Sequence, residues 1–366
     1  MWRRLFENFV SKATDWLFRT AKIEWYLLRG ALGLIAVIFS PQLVEIILNL
    51  ISVSLPEKYK SALDSLDAAK PFILGICAIM IIVALCIIIA KFLDERKSGS
   101  KKRLIIIEGR GLRDDDGSPL VDVIPKEILG QRIPILLDLR NRKDGKVIDP
   151  YQAISDIEAT HHSLSQQKAS LDRGDLTIFY GGLTSVPYTF LTGILIDDEG
   201  ALVTYDWDRK QEAWRSINGE DDGLQFDIIG ADTIIESKDV VLALTYSYPI
   251  ADKDLVTTFS IPVVRMTLNG MSSDSHWSDK KQRRLAQQFL ETIKKLSSLG
   301  VERVHLVMAA PNSVVFNFAR RYDKRNLPQI VVYQYERGQS PAYPWGIEMP
   351  VTGVTKATVI STESKN

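Results

Sequence analysis

Nineteen consecutive residues from Phe72 to Ala90 carry no charge and consist mainly of Ile, Leu, Val, Ala and Cys. As a helix rising 1.5 Å per residue, the run is close to the ~30 Å hydrocarbon core of a bilayer. It reads as a transmembrane helix. A second apolar stretch, about Ala31 to Val53, is interrupted by Pro41, Gln42, Glu45 and Asn49 and makes the pair a transmembrane hairpin. The overall composition, 46% hydrophobic with formal net charge zero, hides this segment inside an ordinary average.

Flanking positive charge orients the hairpin. Arg3, Arg4, Lys12, Arg19, Lys22 and Arg29 precede it and Lys91, Arg96, Lys97, Lys101, Lys102 and Arg103 follow, with only Lys58, Lys60 and Lys70 between the spans. Both termini are therefore expected in the cytoplasm of a multi-pass inner-membrane protein, with Ser54–Lys70 as a short outer loop. No small-residue cleavage site follows a short hydrophobic core, which argues against a cleaved signal peptide. Residues 1–26 carry Trp2, Leu5, Phe6, Phe9, Ala13, Trp16 and Leu17 at helical spacing with basic residues mostly elsewhere, the pattern of an amphipathic helix in the membrane interface; packing on the cytosolic domain is the alternative. The expected order is thus 1–26 interfacial helix, 27–93 hairpin, 94–102 linker and 103–366 cytosolic domain.

Within the first span Gln42, Glu45, Asn49 and Ser52 recur at three, four and three, placing them on one helical stripe. A carboxylate in hydrocarbon is costly unless it faces protein or water, so this stripe is expected to face other hairpins and line a pore. The alternative is that Pro41 ends an interfacial segment and Glu45 lies near the headgroups. Cys77 and Cys86, both in the second span, are nine positions apart. That spacing puts them on opposite helix faces and excludes a disulfide within the chain.

The cytosolic region contains one structural word twice, 128 positions apart: DLTIFYGGLTSVPYTF from Asp175 and RVHLVMAAPNSVVFNF from Arg303. Each is an apolar strand, a pair of tiny residues and Ser-Val-x-aromatic-x-Phe. The same offset pairs Ile133-Pro134-Ile135-Leu136 with Ile261-Pro262-Val263-Val264, Tyr205 with Tyr333, and Arg209 with Arg337. We read a duplicated α/β unit, two Rossmann-like halves at about 103–225 and 226–366, with strands between helices in parallel sheets.

Gly181-Gly182 and Ala309-Ala310, followed by Pro311, are expected at the carboxyl ends of their strands, with Ser185 and Ser313 in the next helical turn, where backbone N–H groups attract anions. Ligands of open α/β sheets bind beyond those strand ends. A plain tight turn is the competing reading. Neither half carries a dinucleotide-binding glycine fingerprint, a P-loop or a nucleophile elbow, so redox cofactors and nucleotide triphosphate hydrolysis lose their usual support. The four histidines have no metal-ligand spacing; His161 and His305 sit among apolar residues as core histidines, and Asp114–Asp116 reads as a solvated loop.

These words, with TYDWDRKQEAW from Thr204, TYSYPI from Thr245 and LPQIVVYQYE from Leu327, resemble the SAVED domain over roughly Leu104 to the C-terminus. The resemblance implies a sensor of cyclic oligonucleotides in the CBASS anti-phage system, built from two fused halves like the ligand-binding domains of type III CRISPR effectors. Two transmembrane helices ahead of it imply an effector that damages the inner membrane when a partner nucleotidyltransferase makes the signal. The expected ligand is a cyclic trinucleotide, with no cofactor or metal, no DNA partner, and homo-oligomerisation on binding. For such a polyanion the repeated turns supply N–H donors. Arg209 and Arg337 are candidate cations, and Tyr180, Tyr205, Trp207 and Tyr333 candidate platforms for bases. A membrane-anchored ring nuclease and a membrane-tethered nucleotide-binding scaffold remain alternatives.

Overall fold

The structure is a computed structural model that describes residues 23–39, 57–111, 119–140, 148–169, 171–196, 201–234, 236–323, 325–350 and 356–362. It divides into two compact units, Met1–Gly99 and Ser100–Asn366.

The first unit contains helices α1 (Ile23–Phe39) and α2 (Glu57–Lys101). The apolar run lies inside α2 as a candidate span, Pro71–Asp94, of mean hydropathy 3.4 and largely unburied. Side chains such as Phe72, Ile79, Ile82 and Ile89 are exposed on its surface, as a lipid-facing helix requires. At 45 residues, α2 extends about 68 Å, more than twice the hydrocarbon thickness. Two expectations change. Residues from Glu57 to Lys70 are helical rather than an outer loop, and the stretch taken as a linker continues the helix to Lys101. Ala, Leu, Glu and Lys dominate the first segment and favour helix there, whereas the second continues through Ser98-Gly99-Ser100, and Pro71 lies inside the helix, against their intrinsic preference. Cys77 is buried and Cys86 exposed, in keeping with their nine-residue spacing. The amphipathic helix expected over residues 1–26 falls mostly outside the described residues, and the stripe Gln42, Glu45, Asn49 and Ser52 entirely so.

The second unit holds two sheets. The first contains β1 (Arg103–Arg110), β2 (Gln131–Asp138), β3 (Leu176–Leu183), β4 (Ala201–Asp208) and β5 (Ala213–Ser216) in the order β2-β1-β3-β4-β5. Helix α3 (Pro150–Ala169) precedes β3 and α4 (Val186–Ile196) follows it. The second sheet contains β6 (Phe226–Ile229), β7 (Asp239–Thr245), β8 (Val263–Leu268), β9 (Arg303–Ala309), β10 (Gln329–Gln334), β11 (Trp345–Glu348) and β12 (Thr358–Ser361), ordered β12-β11-β10-β9-β7-β8-β6. Helix α5 (Asp279–Ser298) precedes β9 and α6 (Asn312–Ala319) follows it.

Four strands of each sheet are parallel and in the same order, β2-β1-β3-β4 and β8-β7-β9-β10. Their centres, LIII in β1 and VLAL in β7, are buried throughout, as strands covered on both faces must be. The short antiparallel strands β5, β6, β11 and β12 gave no signal in the sequence, being four residues each.

The ungapped register does not extend over the whole repeat. Thr177 pairs with Ala201, whereas its counterpart His305 pairs with Val331, a slip of two residues. Tyr205 therefore corresponds to Tyr335, not Tyr333, and Arg209 does not correspond to Arg337. Likewise Ile107 joins Tyr180 to Ile135 in one sheet, and Leu244 joins Met308 to Met266 in the other. Ile135 thus matches Met266 and not Val263, a slip of three residues. The two-residue slip at β4 and β10 keeps every side chain on its own face of the sheet, whereas the three-residue slip at β2 and β8 does not, so the likeness of the Ile133–Leu136 and Ile261–Val264 words is not a structural register.

The largest core cluster draws on both sets of helices. Tyr188, Phe190, Leu191 and Ile194 of α4 join Phe289 of α5 and Val314, Val315 and Phe318 of α6. At the crossing Gly193 lets α6 approach, since a Cβ there would lie 2.6 Å from Ala319 Cβ. Tyr180 of β3 stacks on Phe316 of α6 with ring centroids 3.6 Å apart.

Candidate functional site

Where β3, β4, β9 and β10 end, both sheets contribute to a cavity of about 400 Å³. Thr184, Ser185, Asp206, Trp207, Arg209 and Lys210 line it from the first sheet; Tyr248, His276, Trp277, Ala310, Asn312 and Tyr335 are among those from the second.

Beneath it the helix N-termini are capped across the repeat. The Thr184 N–H and the Thr189 hydroxyl both donate to Asn312 Oδ1, at 3.0 and 2.7 Å, so a second-half side chain holds the entry to α4. In return the Ser313 N–H at the start of α6 donates to Asp206 Oδ2 at 2.9 Å, and a carboxylate at a helix N-terminus is favoured by the dipole. A buried chain continues the contact: Thr204 Oγ1 donates to Asn317 Oδ1, Asn317 Nδ2 to Gln282 Oε1, and Gln282 Nε2 to Ser313 Oγ. Leaving any of these buried groups unsatisfied costs about 1–3 kcal/mol, so the two strand ends are locked at a fixed separation.

Of the residues singled out in the sequence, the cavity brings together Ser185, Trp207, Arg209, Ala309, Ala310, Pro311 and Tyr333. Arg209 is an exposed cation at its edge. Tyr333 belongs mainly to the core, its hydroxyl 2.8 Å from His305 Nδ1 while His305 Nε2 meets Asp239 Oδ1 at 3.0 Å. Burial pushes His305 below the usual histidine range, against the pull of Asp239.

Six others are placed elsewhere. Gly181 and Gly182 lie inside β3 and not at its turn: a Cβ on Gly181 would meet Trp214, and one on Gly182 would lie 2.3 Å from the Tyr180 hydroxyl. They are small because the core is crowded. Tyr180 and Tyr205 are buried in core clusters, and Ser313 is buried with its N–H taken by Asp206. Arg337, in a turn beyond β10, is not among the lining residues.

The cavity also contains groups the sequence did not single out. Tyr248 and Tyr335 are about half exposed, and Trp277 is covered by the Arg215 guanidinium 4.6 Å from its ring centroid. Lys210 pairs with Asp274 across the mouth, a contact that raises the Lys210 pKa. Asp206, Tyr248 and Tyr335 stood within the words YDWDR, TYSYPI and VVYQY, so the signal was present but unassigned. His276 and Trp277 lie in an irregular turn that periodicity cannot register. Among the described residues no group of three or more His, Cys, Asp or Glu side chains could hold a metal.

The SMODS-associated and fused to various effectors sensor domain, SAVED, matches residues 160–349, just over half of the chain. The SAVED-fused 2TM effector domain matches residues 3–154. The join between the two matches falls near the start of α3, well beyond Ser100 where the compact unit begins. No curated protein matches the sequence. Similar solved structures include the Acinetobacter baumannii Cap4 SAVED/CARF-domain containing receptor with the cyclic trinucleotide 2'3'3'-cAAA, at 12% identity and TM-score 0.45 over 80% of this chain and 62% of that one. The same receptor with 3'3'3'-cAAA gives 13% and 0.43, with coverage of 80% and 63%. The Moraxella osloensis Cap4 receptor gives 15% and 0.41, with coverage of 69% and 51%. The chain spans about three fifths of the length of the A. baumannii receptor. By its family matches this chain belongs to the SAVED family, with a SAVED sensor domain following a two-transmembrane effector domain.

Proposed function

We propose that this chain is a membrane-anchored receptor of CBASS anti-phage defence: the α/β unit binds a cyclic oligonucleotide, the protein assembles, and its transmembrane hairpins permeabilise the bacterial inner membrane. The observation that carries the reading is the cavity at the ends of two parallel strand sets, in a sensor domain fused to a 2TM effector domain. Its lining suits a polyanion with planar bases: Arg209 and Lys210 at the edge, the turn at Ala310-Pro311, and the rings of Tyr248, Trp277 and Tyr335. The shared strand order supports two fused Rossmann-like, CARF-like halves. A partner nucleotidyltransferase would supply the signal, and a cyclic trinucleotide is the ligand to try first. Arg337 stays in the proposal only as a residue beyond the cavity.

Binding acts through differential affinity for two states. A contact between the unlike halves of neighbouring domains is heterologous and closes into a ring or grows as a filament. Adding a cyclic trinucleotide to detergent-solubilised protein is expected to raise its mass to that of a defined oligomer. Unchanged mass at saturating ligand would overturn the assembly step. With both termini cytoplasmic and Gln42, Glu45, Asn49 and Ser52 facing neighbouring hairpins, a ring of Glu45 carboxylates favours cations. Glu45→Leu is expected to keep ligand binding and insertion but to cut ligand-triggered depolarisation several-fold, whereas Ile47→Ala, on the opposite side of the helical wheel, changes it little. Equal depolarisation at matched expression would remove the stripe from the mechanism.

A further inference from the structure

His276 lies in the turn between β8 and α5, in the wall of the cavity. Its side chain is 6% exposed, with Nε2 3.5 Å from Asp206 Oδ2. Both ring nitrogens are covered and neither makes a hydrogen bond of normal geometry, their polar neighbours being Asp206 and the Ser273 backbone. Asp206 is held firmly: Oδ1 accepts from the Trp207 N–H at 2.8 Å and Oδ2 from the Ser313 N–H at 2.9 Å. A neutral imidazole has a single N–H and can donate to Asp206 or to the Ser273 backbone but not to both, whereas an imidazolium has a donor for each and makes the 3.5 Å approach to Asp206 charge-assisted.

The surroundings are poised between these forms. Burial pushes His276 below the usual histidine value; Asp206, the Ser273 backbone and Asp274 act upward, and Arg215 acts downward. Arg209 and Lys210 add positive charge at the cavity edge, the latter neutralised by Asp274. From α5, Gln282 reaches His276 at its backbone carbonyl, while Lys281 turns to Asp222. The β10 wall brings Tyr333, Gln334 and Tyr335. An anion brought into this space moves a neighbouring group's pKa by about one to three units toward the protonated form.

We propose that the cavity takes up one proton together with its polyanionic ligand, and that the His276–Asp206 pair holds it. The inference rests on the reading of this cavity as the ligand seat and adds how its affinity is regulated. The ligand-free histidine is neutral near pH 7 because its pKa is lowered. Ligand raises that pKa. Between the two values affinity strengthens as pH falls, by up to about tenfold per unit, and outside them it is flat.

The experiment is calorimetric titration of the full-length protein in detergent, at about pH 6, 7 and 8 in paired buffers of different ionisation heat. The probes are 2'3'3'-cAAA, 3'3'3'-cAAA and a cyclic di- and tetranucleotide. Wild type is expected to take up close to one proton per ligand and to bind more tightly at lower pH. His276→Gln is expected to lose both the uptake and the pH slope, whatever its absolute affinity. Should that variant not fold, the wild-type proton count from the buffer pairs still decides. Binding without proton uptake overturns the proposal and leaves the ligand seat standing. Uptake that persists in a folded His276→Gln overturns the assignment to this pair. Failure of every probe to bind at any pH overturns both.

Discussion

Ala310→Glu is expected to weaken cyclic-nucleotide binding at least about 100-fold while the protein melts like wild type; Gly182→Glu, its partner in the repeated word, is expected to lose the folded domain instead. Ala310 is only partly buried and lines the cavity just beyond β9, so a longer side chain has space and its carboxylate stands where a phosphate would approach. A like-charge contact in an interface costs several kcal/mol, and about 2.7 kcal/mol is a hundredfold. At Gly182 the first added carbon already lies 2.3 Å from the Tyr180 hydroxyl. That ring cannot swing aside, because it is 1% exposed and stacked on Phe316. Glutamate there would bury an unpaired charge in a displaced core. Ligand titration and a thermal melt on both variants separate the outcomes: wild-type affinity in Ala310→Glu would move the ligand seat elsewhere, and a wild-type melt of Gly182→Glu would mean that Tyr180 yields.

That contrast shows what the sequence could and could not tell. The strands before both turns, the helices after them and the parallel pairing were legible, because apolar runs and periodic stripes are local features. What tiny residues are for was not. Gly182 and Ala310 hold the same place in the repeated word, yet one accommodates a tyrosine in the core and the other faces open space. The difference is set by Tyr180 and Phe316, which meet only when α6 of the second half reaches β3 of the first. Asp206 and Asn312 escaped for the same reason, since each caps a helix of the opposite half over a separation of 107 or 128 residues. The expected N–H donors exist, but two of them, at Thr184 and Ser313, are already bonded to side chains. A ligand must therefore either use other donors at the cavity edge or displace a cap.

The same argument makes the α4–α6 crossing the contact on which the cavity's shape depends, and it is expected to be intolerant. Gly193→Leu places its Cβ 2.6 Å from Ala319 Cβ, 2.7 Å from the Phe316 carbonyl oxygen and 3.3 Å from the Arg320 nitrogen. None of these can rotate away, as two are backbone atoms and the third is fixed to the backbone. The helices must part, and overpacking of this kind costs roughly 1–3 kcal/mol or more. At about 2–4 °C per kcal/mol for a domain of this size, 3 kcal/mol is on the order of 6–12 °C in melting temperature, reduced by the gain of about 1 kcal/mol when glycine leaves a helix interior. Parting α4 from α6 also pulls Asn312 from Thr184 and Asp206 from Ser313, so nucleotide affinity is expected to fall with stability. Gly193→Ala combined with Ala319→Gly removes the nearest clash but leaves the Phe316 oxygen, so the pair should melt between Gly193→Ala and wild type. A thermal melt of the single and double variants tests this coupling. If Gly193→Leu melted like wild type, the helices would cross more loosely than described, and the cavity would owe its geometry to the cross-half caps alone.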